Sequence, residues 1–129
     1  MLTRMKIGIV SEWFERGSSY VTKIYAEQLR HQGEEVLIYA RNEHLGNCAA
    51  PWDGVGVTYG ASTKIPFGKA LDKRDFTNWI KQHNITHIIF NEQIWIGPVL
   101  WARDLGIVTI AYVDYYTRDS LRDFIAYDL

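Results

Sequence analysis

Cysteine is almost absent from this chain. Cys48 stands alone, which rules out a disulfide within the chain and suits a reducing compartment. Long apolar runs are missing as well, because no stretch approaches the ~18 consecutive apolar residues that a membrane-spanning helix needs. The run at residues 7–10, after Arg4 and Lys6, is too short for a signal-peptide core, and Glu12 and Glu15 follow at once. The simplest compartment is therefore the cytoplasm. Nor is charge of one sign in excess: 14 Lys and Arg face 15 Asp and Glu, for a formal net charge of -1. That balance argues against a nucleic-acid partner held through a dense basic footprint.

The signatures of common cofactor sites are missing too. A dinucleotide site wants Gly-x-Gly-x-x-Gly directly after the first strand and an acidic residue at the end of the second. Here the corresponding turn offers Gly17 alone and the second strand runs into Arg41, so an NAD or FAD enzyme is disfavoured. Residues 60–70 look a little like a phosphate-binding P-loop, yet Gly68-Lys69-Ala70 lacks the Ser or Thr that holds magnesium and is wrongly spaced from Gly60. His83 and His87 are four apart, but Asn84-Ile85-Thr86 breaks the helix between them, so they should not share a face as metal ligands. Two acids separated by one residue occur nowhere, and the carboxylate cluster of a signalling receiver is reduced to Glu12. Ser11, Ser18 and Ser19 lack a Gly-x-Ser-x-Gly context. No metal and no cofactor are expected.

What is present is a regular alternation of strand and helix over 129 residues, 47% of them hydrophobic, the size of one ordinary domain spanning 1–129. Met5-Lys6-Ile7-Gly8-Ile9-Val10 reads as a strand, residues 11–19 as a polar, glycine-containing turn, and the next stretch as an amphipathic helix that stops at Gly33. Val21, Ile24, Tyr25 and Leu29 lay an apolar stripe along that helix, and residues 35–40 return as a second strand. Residues 41–53 read as a loop and 55–59 as a short third strand. A helix at about 72–83 puts Phe76, Trp79 and Ile80 on one face, with Asn84 near its end, and residues 86–90 form a fourth strand. Gly97-Pro98 opens a shorter helix that Gly106 closes, and residues 107–113 are the fifth strand. Thr117 can cap a last helix carrying Leu121, Phe124 and Ile125. With no closing strand after it, an exposed apolar edge and self-association are expected. The pattern predicts an α/β, Rossmann-like doubly wound fold with a mostly parallel sheet of about five strands.

Such a sheet has its strand ends at Ser11, Arg41, Asn91 and Asp114, and those four loops gather on one rim, where ligands of open α/β sheets bind. Gly17-Ser18-Ser19 lies at the mouth of the first helix, where backbone N–H groups and the positive dipole end suit an anionic or hydroxyl-rich ligand. The plainer alternative is a Ser N-cap preceded by a flexible glycine. Asn91-Glu92-Gln93 and Asp114-Tyr115-Tyr116 follow the fourth and fifth strands. Their carboxylates and amides could bond sugar hydroxyls and the tyrosines could stack on a sugar face, or Glu92 and Asp114 simply sit in solvent at loop starts. Lys64, Ile65, Pro66, Phe67 and Lys69, with Lys73 and Arg74, mix positive charge and apolar residues in a way that suits peripheral contact with an anionic membrane or an acidic acceptor. Asp72 and Asp75 interrupt that run, as in an ordinary solvated loop.

In these segments the chain resembles the N-terminal half of a glycosyltransferase of the two-domain GT-B fold, in the group-1 (family 4) class. The likeness rests on residues 5–10 with the glycine loop through Gly17 and on Tyr25-Ala26-Glu27-Gln28-Leu29-Arg30-His31-Gln32-Gly33-Glu34-Glu35-Val36. It continues through Thr86-His87-Ile88-Ile89-Phe90-Asn91-Glu92 and the closing stretch from Gly106 through Val113 to Asp114-Tyr115-Tyr116, and so spans nearly the whole chain. The resemblance implies an acceptor-binding domain, with a separate C-terminal domain holding the nucleotide sugar, in a metal-independent, retaining enzyme that moves a sugar to a hydroxyl acceptor. It implies Asp114 as the catalytic residue, where many members carry a histidine. Gly17, Ser18, Glu92 and Tyr116 become the substrate-binding set, although Gly-Ser-Ser replaces the two glycines common among relatives. It also implies a fragment or one half of a split enzyme, inactive alone and completed by a donor-domain partner chain. The alternatives are a non-enzymatic Rossmann-like subunit that docks a partner through Trp13, Phe14, Trp95, Tyr115 and Tyr116, and a nucleotide-binding regulatory module.

Overall fold

The computed structural model describes residues 5–13, 17–40, 54, 56–60, 71–91, 93, 95–113 and 124–129, with the backbone alone at 17 and 18. The described residues form β1 (Lys6–Ser11), α1 (Gly17–His31), β2 (Glu35–Ala40), β3 (Val57–Tyr59), α2 (Lys73–His83), β4 (His87–Asn91), α3 (Gly97–Asp104) and β5 (Val108–Tyr112). The five strands make one sheet in the order β3-β2-β1-β4-β5, and every neighbouring pair is parallel. The expected α/β, Rossmann-like fold is therefore present, with a sheet that is parallel throughout. The predicted loop at 41–53, Cys48, the P-loop-like stretch from Ala61 and the basic residues Lys64 and Lys69 lie outside the described residues.

Alternation along each strand divides the interior in two. Ile7 and Ile9 of β1 and Val36, Ile38 and Ala40 of β2 meet Ala26 of α1 on one face. Val10, Tyr39, Ile88 and Phe90 point the other way, onto Phe76, Trp79 and Ile80 of α2 and Val99 and Ala102 of α3. That second core is aromatic: Tyr39 lies 5.3 Å from Phe76 and 5.0 Å from Trp79 between ring centroids, and Phe90 lies 5.9 Å from Tyr127. Such pairs contribute about 0.5–1.5 kcal/mol each beyond the area they bury. Gly8 is what lets Trp79 reach the β1 backbone, because a Cβ there would stand 2.5 Å from Cη2 of the indole.

All three crossover helices end in the same way. At α1, Glu34 N–H bonds the Leu29 carbonyl and Gly33 N–H the Arg30 carbonyl, with Gly33 at φ 89°. This is the Schellman arrangement, and it turns the chain straight into β2. Ile85 to Ile80 and Ile107 to Ala102 repeat the long bond at α2 and α3, with Asn84 (φ 53°) and Gly106 (φ 79°) as the left-handed residues. At the other end of α2, the Asp72 side chain accepts from Asp75 N–H at 2.8 Å.

One expectation is corrected. The buried face of α1 is formed by Ser19, Thr22 and Ala26, with Leu29 partly buried, whereas Ile24 is 56% exposed and Tyr25 lies outside as well. Small side chains face the sheet there, and Ile24 is left in solvent. Tyr25 instead meets Tyr112 edge-on, with centroids 5.5 Å apart.

The edge of β5 is bonded by the backbone of Asp128 and Leu129, while Ile125 and Leu129 stay 84% and 75% exposed, in keeping with the expected apolar surface there. Residues 124–126 make one 3-10 turn, and the backbone after it bonds to β5: Asp128 N–H and Leu129 N–H donate to the Thr109 carbonyl, and Ala111 N–H donates to Leu129. The Asp128 carboxylate accepts from Thr109 N–H at 2.8 Å and from the Thr109 hydroxyl at 3.0 Å. These two donors, helped by the charge of Arg103, hold the Asp128 carboxyl below its usual range. Thr117 and Leu121 lie outside the described residues.

Candidate functional site

A parallel sheet puts the carboxyl ends of its strands on one edge, and strand order reverses where β1 neighbours both β2 and β4. Chains leaving β1 and β4 lead to α1 and α3 on opposite faces, the arrangement that leaves a crevice at the strand ends of open α/β sheets. Register brings the strand ends level: Ser11 pairs with Ala40, Val10 with Phe90, and Asn91 with Tyr112.

Just beneath that crevice lies a buried polar cluster. Ser11 ends β1, Asn91 ends β4, and both occupy the face that carries α1, whose Thr22 lies between them. The Asn91 side-chain amide donates to the Thr22 hydroxyl, which donates to Ser11 Oγ at 2.7 Å. Ser11 donates onward to the Glu12 carbonyl at 2.8 Å, and the Ser19 hydroxyl reaches the same carbonyl at 2.9 Å. Ser11, Glu12, Ser19, Thr22 and Asn91 are all buried. Polar groups survive burial when they bond one another, and a cluster of this kind has few alternative arrangements. It ties the ends of two strands and the first turns of α1 into one rigid unit, which fixes where the α1 N-terminus points.

Of the predicted site residues, Gly17 and Ser18 are described, as backbone alone. Helix α1 begins at Gly17, so Gly17 and Ser18 stand in its first turn at the crevice. Ser19 is not an N-cap acceptor, since its hydroxyl donates to Glu12 from inside the helix. Asn91 is not a rim residue facing ligand; it is the last residue of β4, turned inward under α1. Glu92, Asp114 and Tyr116 lie outside the described residues, as do Phe14 and Tyr115. Trp13 was expected as an exposed interface residue and is 5% exposed, packed in the α1-side core, whereas Trp95 is exposed.

Sequence reading missed Thr22 and the inward role of Ser11 and Asn91. The available signal was the small-residue spacing Ser19, Thr22, Ala26 on α1, which competes with the larger apolar residues for the inner face. Among the described residues, no group of three or more His, Cys, Asp or Glu side chains could hold a metal ion. No helix among them is long and apolar enough to cross a membrane. Comparison with protein-family models, with curated proteins and with solved structures gave no match.

Proposed function

We propose that the chain is the acceptor-side half of a two-domain glycosyltransferase of the GT-B type, group-1 class, which works with a donor-binding domain to move a sugar from a nucleotide sugar to a hydroxyl acceptor. One observation carries this reading: the parallel sheet reverses order between β1 and β4, and the α1 N-terminus stands at that reversal over a locked polar cluster. Crevices of this kind bind ligands in open α/β sheets. Of the segments that resemble the transferase half, the first holds Ser11 and Gly17 and the third holds Asn91.

In this reading the backbone at Gly17 and Ser18 offers N–H groups and the helix dipole to the donor phosphates or to an acceptor oxygen. Glu92 follows Asn91 in the chain and Asp114 follows β5 by two residues, so in sequence each comes just after a strand that ends on this edge. Asp114 is assigned to the acceptor hydroxyl, and Tyr116 to the face of the sugar. A cytoplasmic location, with peripheral contact at an anionic membrane, goes with this role.

The test combines the chain with a donor-binding domain and measures turnover of a panel of nucleotide sugars. Transfer should need both parts, because catalysis depends on setting donor against acceptor. Asp114→Asn should lower the rate by about tenfold or more. Unchanged turnover would remove Asp114 from the site. Micromolar binding of a nucleoside diphosphate by the chain alone would favour a nucleotide-binding regulatory module. The exposed Tyr20, Ile24 and Tyr25 on α1 favour a second reading as a partner-docking subunit, which a stable complex without turnover would support.

A further inference from the structure

One large aromatic side chain lies on the loop between β4 and α3 with much of its surface in water. Trp95 is 39% exposed, while Trp13 and Trp79 are buried. Its position is nevertheless closely built. Trp101 of α3 meets it edge-on, with centroids 5.2 Å apart and planes at 89°. Gly97 lies against both rings: a Cβ there would come within 3.0 Å of Cε2 and Cζ2 of Trp95 and 3.4 Å of Trp101. The Gln93 side-chain amide donates to the Trp95 carbonyl at 2.8 Å, which fixes the backbone. Trp101 in turn packs on Phe76 at 6.4 Å, and Lys73 Nζ stands 5.8 Å above its ring. The exposed indole is thus braced through α3 onto the aromatic core.

We infer that Trp95 is the stacking platform for a sugar ring of the acceptor, an inference that rests on the sugar-transfer reading above. One face of a pyranose is a set of C–H groups carrying partial positive charge, and the face of an indole is negative. The two surfaces are complementary in shape and in charge, and an indole already held in place loses little freedom on binding. Trp95 stands four residues beyond Asn91, on a loop leaving the carboxyl edge where the crevice opens. Gln93, beside it in the chain, brings an amide to the same loop.

The test follows the five Trp indole N–H signals of the full chain by two-dimensional proton–nitrogen spectroscopy. The probes are methyl α-D-glucopyranoside, methyl α-D-mannopyranoside and methyl β-D-galactopyranoside at millimolar concentrations. Trp95→Phe identifies the Trp95 signal by its loss. At least one glycoside should shift that signal saturably. Trp95→Ala should then weaken its binding by about tenfold, while Trp95→Phe keeps most of it. Gly97→Ala, which tilts the indole, should fall between them. A glycoside that shifts the backbone signals of Ser19 or Asn91 saturably and leaves the Trp95 indole in place would overturn the platform while the sugar-transfer reading stands. Glycosides that shift nothing would overturn both.

Discussion

Replacing Thr22 by Val tests the polar cluster in the most selective way. Val keeps the branched shape and removes only the hydroxyl, which donates to Ser11 Oγ at 2.7 Å and accepts from the Asn91 amide. Both bonds are buried, and each net bond contributes about 0.5–1.5 kcal/mol, so the substitution should cost about 1–3 kcal/mol. Thr22→Ser is the control, since it keeps the hydroxyl and loses one methyl, worth about 0.8 kcal/mol. The helix propensities of Thr, Ser and Val are close enough not to reverse this order. Urea unfolding followed by circular dichroism should therefore rank wild type above Ser and Ser above Val, with unchanged m. Amide exchange should quicken at Ser11 and Asn91 in the Val variant. A Val variant as stable as the wild type, or one that costs less than Ser, would refute the idea that the hydroxyl chain locks the strand ends to α1.

Two other positions give independent checks. Gly8→Ala would press a methyl into the Trp79 indole, so overpacking should cost about 1–3 kcal/mol and alter the near-ultraviolet circular dichroism of the tryptophans; an unchanged spectrum and midpoint would mean that Trp79 does not rest on β1. The Asp128 carboxyl has its folded pKa held down by the two Thr109 donors and Arg103. Its contribution is then fully present above the unfolded value of 3.8 and is lost as pH falls through the lower folded value. Asp128→Asn should remove this part of the acid dependence, read as faster Ala111 amide exchange already at neutral pH; identical exchange in both proteins would contradict the tail's role on β5.

The fold was legible because its signals are periodic and its punctuation is strong. Apolar runs at 7–10 and 35–40 frame a helix that Gly33 ends, and the same logic at Asn84 and Gly106 placed α2 and α3 correctly. What failed was the orientation of α1. Ile24 and Tyr25 carry the larger hydrophobic surface, yet Ser19, Thr22 and Ala26 face the sheet, because close approach and partners for Ser11 and Asn91 outweigh bulk there. A one-dimensional pattern weighs side chains by size and cannot see a polar partner on another strand. For the same reason Asn91 read as a rim amide and Trp13 as a surface ring. The carboxyl edge, where the strand ends gather, was legible from the alternation of strand and helix; the bracing of Trp95 was not, because it lies in the positions of Trp101 and Gly97 around it.

Binding at the carboxyl edge is read from a map of backbone amide shifts as the chain is titrated with the same methyl glycosides. The carboxyl edge predicts that the saturable shifts gather at Glu12, Ser19, Asn91 and Tyr112, around the ends of β1, β4 and β5 and the start of α1. Shifts gathered instead at Gly33, Asn84 and Gly106, where the helices end on the opposite edge, would contradict it.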